Sequence, residues 1–144
     1  MEQLIEQMKI ILGTNFGLYF KAHTFHWNVE GPDFAQYHGF LGDFYESVFD
    51  QTDDIAEHIR ALGSYTPTSL ARMIELSKID ELSAIPSPLV MMSELLAANT
   101  AYILELRTGI AIADAADEPA VSNFLQDLLD KHQKHGWMLR SFTK

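Results

Sequence analysis

The chain has no cysteine among its 144 residues. Disulfides, thiolate nucleophiles and cysteine-ligated zinc or iron–sulfur centres are therefore excluded. Any bound metal must sit on imidazole, carboxylate or water. Positive charge is scarce as well. Ten Lys and Arg stand against twenty Asp and Glu, a net charge of -10. Nucleic-acid binding rests on Lys and Arg neutralising backbone phosphates, so this balance argues against DNA as a partner. The one loose basic cluster, Lys131, His132, Lys134 and His135, reads as a solvated helix face. No apolar run approaches the ~20 residues of a bilayer crossing. Nor does the chain open on a basic segment followed by an apolar one, the mark of a signal peptide. The expectation is a cytoplasmic protein without a membrane partner. The acidic excess favours cations instead.

What is present points to helices. Hydrophobic residues make up 47% of the chain, enough to build one core, so a single domain over residues 1–144 is expected. The first stretch runs from Glu2 to Asn28. Leu4, Ile5, Met8, Ile11, Leu12, Phe16, Tyr19 and Phe20 recur in it at three- and four-residue steps. Gly13 and Gly17 lie four apart and form a flat strip for close approach. Gly31-Pro32-Asp33 signals a turn, and Asp33 is placed to cap a second stretch reaching about Leu62. Phe40, Phe44, Val48, Ile55, Ile59 and Leu62 form its apolar stripe. Gly39 and Gly42 mark another possible close approach, and Gly63 takes the position that ends a helix.

From Ser64 to Ser87 the connection is too long to be structureless, and Leu70 to Leu76 suggests a short helix within it. Such a link lets the second and third long helices run parallel, a ferritin-like connectivity. Ser87 as N-cap and Pro88 at the first helical position open the third stretch, which runs to about Ala113. The fourth follows Pro119, with Val121, Phe124, Leu125, Leu128, Leu129, Leu139 and Phe142 on one face. The fold class is all-α, a four-helix bundle with an extra short helix in the long connection.

The chemistry-bearing residues are His26 and His38, followed by Asp53 and Glu57. Two imidazoles and two carboxylates suit iron(II), manganese or zinc. Asp53 and Glu57 share one helix face. His38 lies fifteen residues before Asp53, roughly 22 Å along a straight helix. One helix cannot bring both to one ion. Two copies packed antiparallel across a two-fold axis near Tyr45 and Glu46 can, giving two equivalent sites per dimer. Spacing alone leaves open whether these residues bind metal or form an ordinary solvated face.

At this segment the chain resembles a known family. His26-Trp27-Asn28-Val29, Gly31-Pro32, Phe34, His38, then Asp53, Ile55-Ala56-Glu57, Ile59 and Leu62-Gly63 look like the signature of the Dps mini-ferritins. The likeness extends along most of the chain, including Trp137-Met138-Leu139. It implies a dodecameric cage of tetrahedral symmetry that stores iron and protects the cell from oxidative damage. It implies ferroxidase sites at the dimer interface, with His26 and His38 from one subunit and Asp53 and Glu57 from its two-fold mate. The implied oxidant is hydrogen peroxide in preference to dioxygen. It also implies an acidic iron-entry pore at Asp114, Asp117 and Glu118, with Asp127 a further candidate.

One departure stands out. The family places an acid four residues after the second histidine, and here that position is Gly42. Asp43 points ~100° away around the helix. Water, Asp43 after a local distortion, or Glu46 could replace the lost contact to a second iron. The alternative is therefore a structural or DNA-associated cage with weak or absent ferroxidase activity. Relatives that condense DNA use a Lys/Arg-rich tail, whereas Met1-Glu-Gln-Leu reads straight into helix and Lys144 closes the chain, so no DNA condensation is expected. His23 is expected to support the site without ligating, His58 to be a surface or interface residue, and Trp27 to pack. A diiron oxygenase bundle is disfavoured because the sequence has no Glu-x-x-His pair.

Overall fold

The computed structural model describes residues 1–144 and contains helices only: α1 Glu2–Asn28, α2 Phe34–Ala61, α3 Leu70–Leu76, α4 Pro88–Ala115 and α5 Pro119–Phe142. Their ends follow local chemistry. The Ser87 hydroxyl accepts the Val90 N–H at 3.4 Å with Pro88 beside it, and the Ser69 hydroxyl accepts the Arg72 N–H at 3.1 Å. Gly63 follows α2 at φ 93°, a backbone state that costs glycine nothing. Asp33 does precede α2, but in the left-handed region at φ 64° and without a side-chain cap bond. Its carbonyl, not its carboxylate, holds the first turn, accepting the Tyr37 N–H at 3.1 Å. Helix α4 continues two residues past the expected Ala113.

Cross-helix bonds fix the topology. Asn15 of α1 donates to Thr52 of α2 at 2.8 Å, while His26 lies by His38, so α1 and α2 are antiparallel. Gln7 reaches Glu105 and Lys21 reaches Glu94, so α1 and α4 are antiparallel too. Helices α2 and α4 consequently run parallel, as the long connection predicts. That connection is tied down by Lys21, whose ammonium donates to the Asp80 carbonyl at 2.8 Å, and by Thr14, which accepts the Lys78 N–H at 3.2 Å. Gly13 and Gly17 let it approach. A Cβ on Gly13 would lie 2.7 Å from the Leu76 Cβ and 2.8 Å from the Met73 carbonyl oxygen, and one on Gly17 would strike the Ser77 hydroxyl. Gly39 does not act this way, since nothing in the chain lies within 4 Å of the place its Cβ would take.

The core holds Leu4, Met8, Ile11, Phe44, Val48, Ile55, Leu95, Leu106, Leu125 and Leu139, all nearly or fully buried. Phe20 departs from the expected stripe and is 49% exposed, on a face shared with Trp27 and Phe49. Helix α4 is long and apolar enough to cross a membrane by composition, and in the fold it packs on α1 and α5.

The basic cluster is not a solvated face. His132 is fully buried and His135 partly so, while Lys131 and Lys134 are exposed. Leu125, Leu128, His132, His135 and Leu139 fall at steps of three and four and share the inward stripe. A polar layer receives them. The His132 Nδ1–H donates to the Asn99 side-chain oxygen at 2.7 Å, and the Asn99 amide donates back to the His132 carbonyl at 2.9 Å. Nε2 of the same ring accepts from Gln51 at 2.9 Å. Tyr102 adds its hydroxyl near Gln51 at 3.3 Å and Asn15 at 3.2 Å. Burial drives the His132 pKa well below the usual imidazole value, helped by His135 and Lys131. Burial first, then Lys134 and Lys131, push His135 down to about 4.

Candidate metal centre

His26 ends α1 and His38 lies in the first turns of α2, joined by a tight turn. Gly31 at φ 102° and Asp33 at φ 64° reverse the chain there, and buried Val29 anchors it. The two rings stack, with centroids 3.7 Å apart and planes 18° apart. Phe34 covers His38 at 4.8 Å. Nδ1 of His26 meets the His38 carbonyl at 2.8 Å, and Nδ1 of His38 meets the His26 carbonyl at 2.9 Å. A carbonyl can only accept, so each Nδ1 carries the proton. In a neutral ring that bond leaves the lone pair on Nε2, the atom through which such an imidazole can ligate a metal.

The acids sit elsewhere on α2. Ligand atoms of Asp53, Asp54 and Glu57 all lie within 4.8 Å of one another, and all three residues are exposed. A hydrogen bond to Asp53, and then its negative charge, raise the Glu57 carboxyl above its ordinary value. Two of these acids were predicted. Asp54 was not, although its i,i+3 spacing to Glu57 was a usable signal. Helix α2 is one unbroken helix from Phe34 to Ala61. The structure therefore brings His26 to His38 and Asp53 to Glu57, and keeps the two pairs apart by roughly 22 Å within one chain.

The remaining candidates separate. Gly42 faces His26: a Cβ there would lie 3.2 Å from its Cε1 and 3.4 Å from its Nδ1. Asp43 and Glu46 are exposed. His58 stacks on Phe124 at 3.9 Å and bonds the Asp54 carbonyl at 2.7 Å. His23 is 6.1 Å from His26, ring to ring, and burial, then His26, lower its pKa. Trp27 packs on His23 at 4.1 Å while 59% exposed. Asp114 lies in the last turn of α4, Asp117 holds the turn at φ 56°, and Glu118 precedes α5 without a side-chain cap bond. Asp114, Asp117 and Asp127 are exposed, and none of the four acids is in an ion pair. A cavity of about 350 Å³ between α1 and α3 is lined by Phe16, Phe20, Met73, Ile74 and Ile79 and holds no imidazole.

A family model for the ferritin-like domain matches residues 5–144. DNA protection during starvation protein 2 of Bacillus anthracis is 30% identical over 141 residues, covering 98% of this chain and 97% of that protein. The DNA protection during starvation protein of Brevibacillus brevis is 32% identical, covering 88% and 85%. The crystal structure of a Dps protein from Bacillus brevis superimposes with a TM-score of 0.95 at 28% identity, over 99% of this chain and 96% of that one.

Proposed function

The chain belongs to the Dps family of ferritin-like proteins, and on that premise we propose that it is the subunit of an iron-storage cage with ferroxidase sites shared between two-fold-related copies. One observation carries the reading. The imidazole half-site and the carboxylate half-site are each assembled, yet they lie at distant points of one rigid helix. Antiparallel pairing of two α2 helices about Tyr45 and Glu46 brings the halves of different chains together.

In this reading His26 and His38 of one subunit and Asp53 and Glu57 of its mate hold ferrous iron as substrate. The reciprocal Nδ1 bonds present two neutral nitrogens without a reorganisation cost. The hard carboxylate oxygens favour the ferric product over the ferrous substrate. A bound cation would oppose the upward shift that the hydrogen bond and charge of Asp53 impose on the Glu57 carboxyl. Hydrogen peroxide, in preference to dioxygen, is the oxidant. It takes one electron from each of two ferrous ions and two protons, and leaves as two waters. Asp114, Asp117, Glu118 and Asp127 draw cations toward the interior, a role favoured by their lack of cationic partners. Twelve subunits in tetrahedral arrangement close the cage.

The test is complementation between subunits. A variant lacking both imidazoles (His26→Ala, His38→Ala) and one lacking both acids (Asp53→Asn, Glu57→Gln) are each expected to oxidise iron no faster than buffer. Unfolded and reassembled together in equal amounts, they regain about a quarter of the wild-type sites, because half the dimers are mixed and each holds one intact site. Stopped-flow absorbance after peroxide addition to ferrous-loaded protein reads this. A mixture as inactive as its parents would refute the shared site. Wild-type protein no faster than free iron would favour the inactive cage that Gly42 suggests.

A further inference from the structure

Beside the imidazole pair lies an aromatic cluster that iron ligation does not use. The Tyr19 hydroxyl meets Nδ1 of His23 at 2.8 Å and makes no other hydrogen bond. His23 lies flat on Tyr45, with centroids 3.8 Å apart and planes 9° apart. Tyr45 is in turn 5.2 Å from His26, ring to ring. Ring contacts therefore run from a proposed iron ligand through Tyr45 and His23 to Tyr19. Packing needs no hydroxyl here. Phe16 and Phe49 already border Tyr19 at 5.7 Å and 4.9 Å, and a phenol among apolar rings is costly unless its O–H finds a partner. That partner is an imidazole rather than a backbone carbonyl, so it can take the proton as well as accept the bond.

This pairing has a chemical use. A phenol gives up an electron readily when its proton leaves at the same time, and a neutral imidazole in hydrogen-bond contact receives that proton. Gly42, meanwhile, removes a carboxylate from the place where a second iron would bind. A site holding a single ferrous ion can give peroxide only one electron. One-electron cleavage of the O–O bond releases a hydroxyl radical.

We propose that Tyr19, hydrogen-bonded to His23, supplies the second electron when peroxide is reduced at a site that holds one ferrous ion. The inference rests on the ferroxidase reading above. Its balance is Fe2+ + H2O2 + Tyr–OH + His + 2 H+ giving Fe3+ + Tyr–O• + HisH+ + 2 H2O. The O–O bond breaks, iron and the phenol each lose one electron, and the phenolic proton passes to Nδ1 of His23. The next ferrous ion reduces the phenoxyl radical with uptake of one proton. The overall demand returns to two ferrous ions per peroxide. Tyr19 thus acts as a transient electron store, distinct from the ligands.

The experiment uses assembled cages of the wild type, Tyr19→Phe, His23→Leu and Trp27→Phe, each checked for size by light scattering. Each is loaded without oxygen with one ferrous ion per site, mixed with one peroxide per site and freeze-quenched. EPR should show an organic radical in the wild type, altered in splitting when tyrosine is ring-deuterated. Tyr19→Phe should lose the signal, and a spin trap should capture more hydroxyl radical. His23→Leu should do likewise while keeping the phenol, an effect that simple packing would not produce. A radical unchanged in Tyr19→Phe, or one lost only in Trp27→Phe, overturns the proposal while leaving the ferroxidase reading intact. Absence of ferric iron in the wild type overturns both.

Discussion

Gly42 does two things at the scale of a single residue: it offers no side-chain donor, and it makes room for the His26 ring. A Cβ there would stand 3.2 Å from Cε1, tighter than ordinary contact, so a side chain requires the ring to yield by a few tenths of an ångström. The Nδ1 bond to the His38 carbonyl resists that shift. Gly42→Ala should therefore be nearly neutral for folding, since about 1 kcal/mol of helix propensity is offset by the crowding. Gly42→Asp adds a carboxylate as well. Anaerobic calorimetry should then count two ferrous ions per site in place of one, and stopped-flow oxidation should quicken about tenfold or more, the effect of about 1.4 kcal/mol in the barrier. One ion per site, bound more weakly than before, would show instead that crowding of His26 dominates. The four ligand candidates were legible because imidazole and carboxylate announce themselves by type and because helix rise converts spacing into distance. The tautomer lock was not. It depends on two main-chain carbonyls meeting two rings across a turn, and sequence carries no signal for that approach.

Among the elements, α3 is the least anchored, with Leu76 its one buried residue. Buried Leu76 and partly buried Met73 seat it on α1, where Gly13 leaves room for them. Gly13→Ala places a methyl against the Met73 carbonyl and the Leu76 Cβ, neither of which can swing away. The expected outcome is a loss of about 1–3 kcal/mol, read as a lower urea midpoint with faster amide exchange across residues 70–76. Gly39→Ala is the contrast. Its Cβ meets nothing in the chain, so the subunit should gain up to about 1 kcal/mol. Helix positions were readable because Ser87-Pro88, Gly63 and the apolar periodicity are local signals. The inward histidines were not, since a periodicity count treats imidazole as polar. His132 and His135 become core residues only because Asn99, Gln51 and Ser47 of other helices meet them. Phe20 left the expected stripe for a related reason, since periodicity marks an apolar face without saying what covers it.

For the whole molecule, the buried histidines tie stability to acidity. Both have folded-state values below the unfolded imidazole's 6.5, so the unfolded chain binds more protons. Folding free energy is complete above that value. It declines as pH falls from 6.5 toward the value of about 4 for His135, and further for His132. Lys131 and Lys134 oppose the proton, and the neighbours from the other helices, Ser47, Gln51, Asn99 and Tyr102, bring no carboxylate to welcome it. The His135 term is on the order of 3 kcal/mol. Urea midpoints measured from pH 7.5 to 4.5 should therefore fall, and His135→Leu should flatten the curve. A wild-type midpoint constant over that range would refute the coupling. Charge is the second property of the whole. The chain carries -10 with only ten Lys and Arg, and in the proposed cage every copy would add the same acidic balance. DNA binding gains by releasing counterions from phosphate, which requires cations that this surface does not concentrate. Although the relatives are named for DNA protection, this cage should not retard linear duplex DNA in a gel at about 150 mM salt. Lowering the salt should change little, because there is no lysine patch to unscreen. Adding a Lys-rich tail to the same cage should create retention that vanishes again as salt rises. Strong retention of duplex by the unaltered cage at that salt would mean that assembly gathers the scattered Lys and Arg into a surface that one subunit does not have.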